Sequence, residues 1–392
     1  MDVGSCVRCP FFICYRGKNI NQFVMKRVIK SMAAFMLAIA LPSMAQSDKM
    51  DLRLEFFNTL NSDFSGDQYE GTSFKTNILR FAVFGDITDQ VSYSYRQALQ
   101  KPTSINSLEN LANQIEFANV TYHPSDRLNF TFGKQFVAFG GWEHNVNVLR
   151  IKEFSEFVGA IACYQTGVSA TWQMNDNHEW IFQLLDARGK KDADWFESAL
   201  PAGLEATKAP LMGTINWNSY FADKALHFRY AASALSMAKD KYAYYLTAAN
   251  IYEKGSLLAC LDFMYAREAV DNLGRLSALR GHTMQNVQYF TTIANVEYAF
   301  HPQWNLALKA AYEITDLYKA FDEVYQAGRY LDEWNVQAGL EYMPVVENPN
   351  FKLFAWYLYK TAKASELGKY YHMGDNSHQR ISLGMTYTFN AL

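Results

Sequence analysis

The sequence predicts an all-β fold, a transmembrane antiparallel β-barrel of about 16 strands with short periplasmic turns and longer extracellular loops. Three observations support this prediction: an export signal, an alternation of polarity with a period of two residues, and connections that alternate in length. No run in the 392 residues approaches the roughly 18 consecutive apolar residues of a spanning helix, which excludes a multi-helix membrane protein. Because barrel strands alternate in polarity, the hydrophobic fraction of 49% is compatible with a barrel.

The export signal lies at residues 25–45. Lys26, Arg27 and Lys30 form a basic head, residues 32–41 are apolar, and small residues precede a cleavage site after Ala45. We therefore predict a signal peptide over 25–45, an upstream start-site extension over 1–24, and a single outer-membrane barrel domain over 46–392. A translated N-terminal extension and a buried helix over 32–41 are the alternatives.

Composition argues against several other classes of protein. Removal of the basic N-terminal part leaves a more acidic chain, which is not typical of a nucleic-acid binder. Only Cys163 and Cys260 of the five cysteines follow the predicted cleavage site, so neither a disulfide framework nor a zinc site is predicted. No spacing of histidines, serines or glycines predicts a catalytic residue, a metal ligand or a cofactor site.

The alternation of polarity recurs to the end of the chain. In the last segment, Ile381, Leu383, Met385, Tyr387 and Phe389 alternate with polar or small residues, as expected for a strand with one face toward lipid. Segments of this kind predict strands near 51–62, 73–85, 90–100, 113–123, 127–136, 161–173, 178–188, 207–218, 225–239, 241–251, 255–267, 284–300, 303–316, 331–343, 350–361 and 378–390.

The connections between these segments alternate between short and long, which is typical of an outer-membrane barrel and not of a soluble sandwich. Short polar turns are predicted at places such as 85–89, 123–126 and 301–303. The predicted long links are 63–72, 101–112, 137–160, 189–206, 268–283, 317–330 and 362–377.

Two predicted hairpins carry a family resemblance. Residues 77–96 form an Arg-bearing strand, a Gly turn and a Tyr-rich return strand, and residues 120–136 form a second hairpin that ends in Gly-Lys-Gln-Phe. Together they resemble the phosphate-selective porin O and P family in its Bacteroidetes-type form. The resemblance implies a sixteen-stranded, trimeric porin. Phosphate-selective members have a densely basic pore, whereas this chain has 36 Lys and Arg against 39 Asp and Glu.

The alternation also predicts which charges face the lumen. If the apolar phase faces lipid, basic and acidic residues share the inner face in equal numbers. Opposed rows of the two signs would create a transverse field; alternatively, the charges pair across neighbouring strands and keep the wall wetted. The predicted pore-lining residues are Arg53, Arg80, Arg96, Arg229, Lys309, Arg380, Glu55, Glu116, Asp262, Glu297, Glu313 and Glu341.

The link 137–160 is the predicted constriction loop, because it is long and combines charges of both signs with aromatic residues that could anchor it to the wall. An ordinary extracellular loop is the alternative. Its candidate functional residues are Glu143, His144, Arg150, Lys152, Glu153 and Glu156.

We therefore expect a porin, not an enzyme, in the outer membrane of a Gram-negative bacterium. It would let small polar or anionic solutes diffuse passively through a water-filled barrel, and it would require no cofactor. Its expected partners are outer-membrane lipid, two further copies of itself in a homotrimer, and small polar solutes or inorganic anions, but not nucleic acid. A structural or adhesive surface barrel and an outer-membrane phospholipase are the alternative functions.

Overall fold

The computed structural model describes residues 50–101, 111–187, 200–201, 203–321 and 323–390. Within these residues, 16 antiparallel strands close into one barrel, in which sequence neighbours pair and β1 pairs with β16. The predicted fold class is thus confirmed. The strands are β1 Met50–Ser65, β2 Gln68–Thr88, β3 Val91–Ala98, β4 Ile115–Ser125, β5 Leu128–Phe136, β6 Tyr164–Asn175, β7 His178–Asp186, β8 Leu211–Phe221, β9 Leu226–Ala238, β10 Lys241–Lys254, β11 Leu257–Val270, β12 Gln285–His301, β13 Trp304–Leu317, β14 Gly328–Tyr342, β15 Phe351–Ala364 and β16 Asn376–Asn390.

The outer face of the barrel is an apolar belt edged by aromatic residues. Leu308 and Leu383 are 44% and 55% exposed there. The rings of Trp304 and Tyr342 pair at one edge of the belt, with centroids 4.6 Å apart, and those of Tyr312 and Trp334 pair at the other, 4.7 Å apart. Aromatic side chains are favoured where hydrocarbon meets water, so these pairs mark the two interfaces of the membrane.

The lengths of the connections differ between the two rims. Turns such as 126–127, 176–177 and 302–303 lie at one rim, whereas long links such as 137–163 and 271–284 lie at the other. The expected long link 63–72 is wrong, because β1 and β2 extend through it to a two-residue turn at 66–67. Backbone pairing of β1 and β2 continues beyond the part of these strands that has an apolar pattern. The turn forms at Gly66, which adopts a φ of +57° and whose N–H donates to the carbonyl of Ser377.

Three short helices lie in the long links of this part of the chain: α1 Glu156–Ala160, α2 Arg275–Arg280 and α3 Glu366–Tyr370. Helices α2 and α3 contribute to a buried apolar cluster that also contains Tyr289 and Tyr330 from the strands. None of the helices in the described ranges is long and apolar enough to cross a membrane. The predicted signal peptide 25–45 and extension 1–24 lie outside the described residues.

Candidate channel lumen

Residues 137–163 link β5 to β6 and lie inside the barrel, where we name them the inner segment. The segment enters the interior through Gly140 and Gly141, whose φ angles are +69° and +75°. A Cβ atom on Gly140 would lie 2.6 Å from the hydroxyl of Thr247 and 3.0 Å from the Cβ of Ala231. The close approach to β9 and β10 therefore requires glycine at position 140.

Two wall carboxylates hold the backbone of the inner segment. The carboxylate of Asp262 on β11 accepts hydrogen bonds from the backbone N–H groups of Trp142 and Glu143, each at 2.9 Å. The carboxylate of Glu313 on β13 accepts from the N–H groups of Glu156 at 2.8 Å and Phe157 at 3.0 Å, at the start of α1. These N–H groups have no partner within the helix, so the carboxylate satisfies them.

Ion pairs attach the side chains of the segment to the same half of the barrel. Lys309 donates to the buried carboxylate of Glu143, which also accepts from the hydroxyl of Ser155 at 2.5 Å. Lys152 pairs with Glu341 at 3.0 Å, and Arg150 pairs with Glu297 at 2.7 Å. Since a buried charge is costly unless it is paired, these contacts favour one position of the segment.

Two other carboxylates of the inner segment remain partly exposed. Glu153 pairs with Lys360 at 2.8 Å and with Arg380 at 3.1 Å, and Glu156 pairs with Lys360 at 2.8 Å. The side chains of Glu153 and Glu156 are 30% and 38% exposed. The face of the segment that points away from β11–β14 therefore carries two carboxylates, each paired with at least one cation of β15 or β16.

A cluster of cations lies on the wall opposite this face. Arg80 and Arg96 each approach the carboxylate of Glu116 to 2.9 Å, and Lys101 approaches it to 2.8 Å. Glu55 lies 3.7 Å from Arg80. The register of β3 and β4 shifts at this point, so that Glu116 lies in a β-bulge.

Between the inner segment and strands β1–β6 lies an open cavity of about 910 Å³. Arg53, Glu55, Arg80 and Arg96 of the predicted wall residues line it. The inner segment contributes His144, Lys152, Glu153 and Glu156. The predicted residues that do not line it are Glu116, Arg229, Asp262, Glu297, Lys309, Glu313, Glu341, Arg380, Glu143 and Arg150.

Several lining residues were not predicted from the sequence, and the polar ones among them include Lys101, Tyr164 and Lys360. Lys360 lies at the same phase of β15 as the buried Trp356, and this signal could have identified it. Lys101 follows the end of β3, and Tyr164 begins β6. The alternation of polarity carries no information at such strand ends, so it could not have identified them.

His144 is buried within the inner segment. Its Nε2 donates to the carbonyl of Val137 at 3.0 Å, and its ring stacks on Phe136 with centroids 4.5 Å apart. Burial lowers the pKa of His144 from 6.5 to about 4, although the bond to Val137 opposes this shift. The imidazole is therefore neutral at neutral pH.

We expect the inner segment to lose stability as the pH falls from about 6.5 to about 4, because in this window the released form of the segment binds a proton that the packed form excludes. Thermal unfolding of the purified barrel and current fluctuations of the open channel, each measured across this window, check the prediction. In His144→Phe, which keeps an aromatic ring, this component of the pH dependence should disappear. An unchanged pH dependence in that variant would contradict the assignment to His144.

Several solved structures have a fold similar to that of this chain. The outer membrane channel DcaP of Acinetobacter baumannii is 12% identical, with 87% of this chain and 97% of that chain covered and a TM-score of 0.59. The anion-selective porin from Comamonas acidovorans is 9% identical, with 87% and 99% covered and a TM-score of 0.54. The trimer form of OmpT from Vibrio cholerae is 12% identical, with 87% and 99% covered and a TM-score of 0.51.

The comparison with protein families covers nearly all of the barrel. The model described as phosphate-selective porin O and P matches residues 49–389. No curated protein matches the sequence significantly. With its closed sixteen-stranded barrel, the chain therefore belongs to the phosphate-selective porin O and P family and is a channel for small solutes in the outer membrane of a Gram-negative bacterium.

Proposed function

We propose that small polar or anionic solutes diffuse passively through this barrel and that the inner segment forms the constriction of their path. The observation that carries the proposal is the attachment of the inner segment to one half of the wall. Asp262, Lys309, Glu313 and Glu341 hold it against β11–β14, and the cavity of about 910 Å³ remains on its other side. Solutes would pass through this cavity, and the protein would transport them without catalysing a reaction.

The charges on the two sides of the cavity suggest how the channel treats ions. Arg80, Arg96 and Lys101 lie on the barrel wall, and Glu153 and Glu156 lie on the inner segment. Such opposed charges produce a transverse field that orients polar solutes and allows ions of both signs to pass. We propose a weak preference for anions, because the three cations Arg80, Arg96 and Lys101 have only the two carboxylates of Glu116 and Glu55 near them.

We propose that the channel is a homotrimer surrounded by outer-membrane lipid. The family resemblance implies this assembly, and OmpT, one of the proteins of similar fold, has a trimer form. The apolar outer belt supports the proposed contact with lipid.

We propose that residues 25–45 are a signal peptide that is removed on export, and that residues 1–24 are an upstream start-site extension. The basic head, the short apolar core and the small residues before Gln46 support cleavage after Ala45. Mass spectrometry of the protein from outer membranes should find its N-terminus at Gln46. Mature protein that still contains Cys6 or Cys14 would contradict this prediction.

The transport proposal is tested by reconstitution of the purified protein in a planar bilayer. Stepwise conductance and a small reversal potential of anionic sign in a salt gradient are the expected results. A correctly folded barrel that gives no conductance would instead favour a structural role. Strong anion selectivity that saturates with phosphate would replace the proposed weak preference with phosphate-specific transport.

A further inference from the structure

The cavity beside the inner segment has an aromatic surface as well as cations. Phe117, Phe136 and Tyr164 line it from three neighbouring strands. The ring centroids of Phe117 and Tyr164 are 5.5 Å apart, and those of Phe136 and Tyr164 are 5.8 Å apart. The three rings therefore form a continuous patch, which we name the aromatic patch.

Cations lie directly beside the aromatic patch. The guanidinium of Arg96 lies 4.0 Å from the ring centroid of Phe117 and donates to the hydroxyl of Tyr164 at 2.8 Å. The ammonium of Lys101 lies 5.5 Å from the ring centroid of Tyr164. An acidic group bound by these cations would thus bring its attached body against the aromatic patch.

The positive charge of this cluster is only partly neutralised. Arg80, Arg96 and Lys101 all contact Glu116, whose side chain is 1% exposed, and Glu55 is 3.7 Å from Arg80. Three positive charges therefore face two negative charges. The side chain of Lys101 is 38% exposed, so its ammonium can bind an anion from the cavity.

The opposite side of the cavity is also apolar in part. Val146, Val148, Ile151 and Phe154 of the inner segment line it. Apolar walls on two sides do not favour the binding of a small hydrated ion. They favour the binding of a solute with an apolar body, because this body is removed from water between them. The composition of the cavity thus suits a solute with an acidic group and an apolar part.

We propose that this cavity binds small organic anions, each with one acidic group and a flat apolar body, more tightly than anions without such a body. The inference rests on the proposed transport through the cavity and specifies its substrate class. The acidic group forms charge-assisted hydrogen bonds with Lys101 and Arg96, and the apolar body packs on the aromatic patch and on the inner segment.

The test compares benzoate, acetate and inorganic phosphate as probes of the reconstituted channel. Each anion is added to a chloride background, and the concentration that half-saturates the change in single-channel current is measured. Benzoate should half-saturate at a concentration at least about tenfold lower than acetate, because only benzoate buries a ring. The half-saturating concentration of phosphate should equal or exceed that of acetate.

Variants separate the two parts of the site. Phe117→Leu should weaken the effect of benzoate and leave that of acetate unchanged, whereas Lys101→Gln should weaken both. Tyr164→Phe keeps the ring and should retain most of the preference for benzoate. Phe132→Leu is the matched control, because Phe132 is 52% exposed on the outer face, and it should change neither response.

The outcomes distinguish this inference from the transport proposal. A channel that conducts but responds equally to benzoate and acetate would overturn the inference and leave the transport proposal intact. Tighter binding of phosphate than of benzoate would also overturn it, and would indicate an inorganic anion as the substrate. A folded barrel without conductance would overturn the transport proposal itself.

Discussion

Replacement of residues 138–162 by a short Asn-Gly turn should raise the single-channel conductance at least about twofold, because a barrel of this strand number encloses an aqueous channel once its interior is cleared. The design suits the fold, since Phe136 and Tyr164 already pair in register at the ends of β5 and β6. A two-residue hairpin turn can therefore close the two strands directly. Conductance in a planar bilayer is the measurement.

The shortened barrel exposes apolar residues that the inner segment covers, such as Tyr245 and Met264, so we expect it to unfold more readily than the full chain.

A milder variant, Asp262→Asn with Glu313→Gln, keeps the inner segment and weakens its attachment to the wall, and it should increase current fluctuations. Shortening the link 343–350 at the opposite rim is the control and should leave conductance unchanged. An unchanged conductance in a folded 138–162 replacement would show that the segment does not narrow the path.

Replacement of Arg80 and Arg96 by Gln should shift the permeability ratio toward cations by at least about threefold, because two positive charges leave the cavity wall. The carboxylate of Glu116 would then retain only Lys101 as a partner. Addition of Glu116→Gln removes the carboxylate that the two arginines had neutralised and should restore part of the anion preference. Reversal potentials in a salt gradient should therefore rank anion preference as wild type, triple variant and double variant, in decreasing order.

Lys363→Gln is the matched control for these charge changes, because Lys363 is exposed and lies at the opposite phase of β15 from Lys360. It should leave the reversal potential unchanged. Measurement at low and high salt adds a second check, since the differences between variants should decrease as the Debye length shortens. If the double variant has the selectivity of the wild type, these arginines do not act on permeating ions.

The sequence by itself predicted the strands of the barrel closely, because one face of each strand must be apolar to contact lipid and the period of two reveals that face. The segment expected at 303–316 is β13 Trp304–Leu317, and the segment expected at 378–390 is β16 Asn376–Asn390. The hairpin of β1 and β2 was missed where the chain extends beyond the apolar belt, since backbone pairing there needs no apolar pattern.

Only the tertiary structure decided which charges face the open cavity. The phase of the alternation predicts that Asp262 and Glu313 lie on the inner face. It does not predict whether water or protein covers these side chains. Both bind backbone N–H groups of the inner segment, from residues more than 100 positions away in the chain. The β-bulge at Glu116 likewise depends on the register of β3 against β4. The alternation of polarity describes each strand separately. The cavity instead depends on contacts between segments that are distant in the sequence, and these contacts form only when the barrel closes around the inner segment.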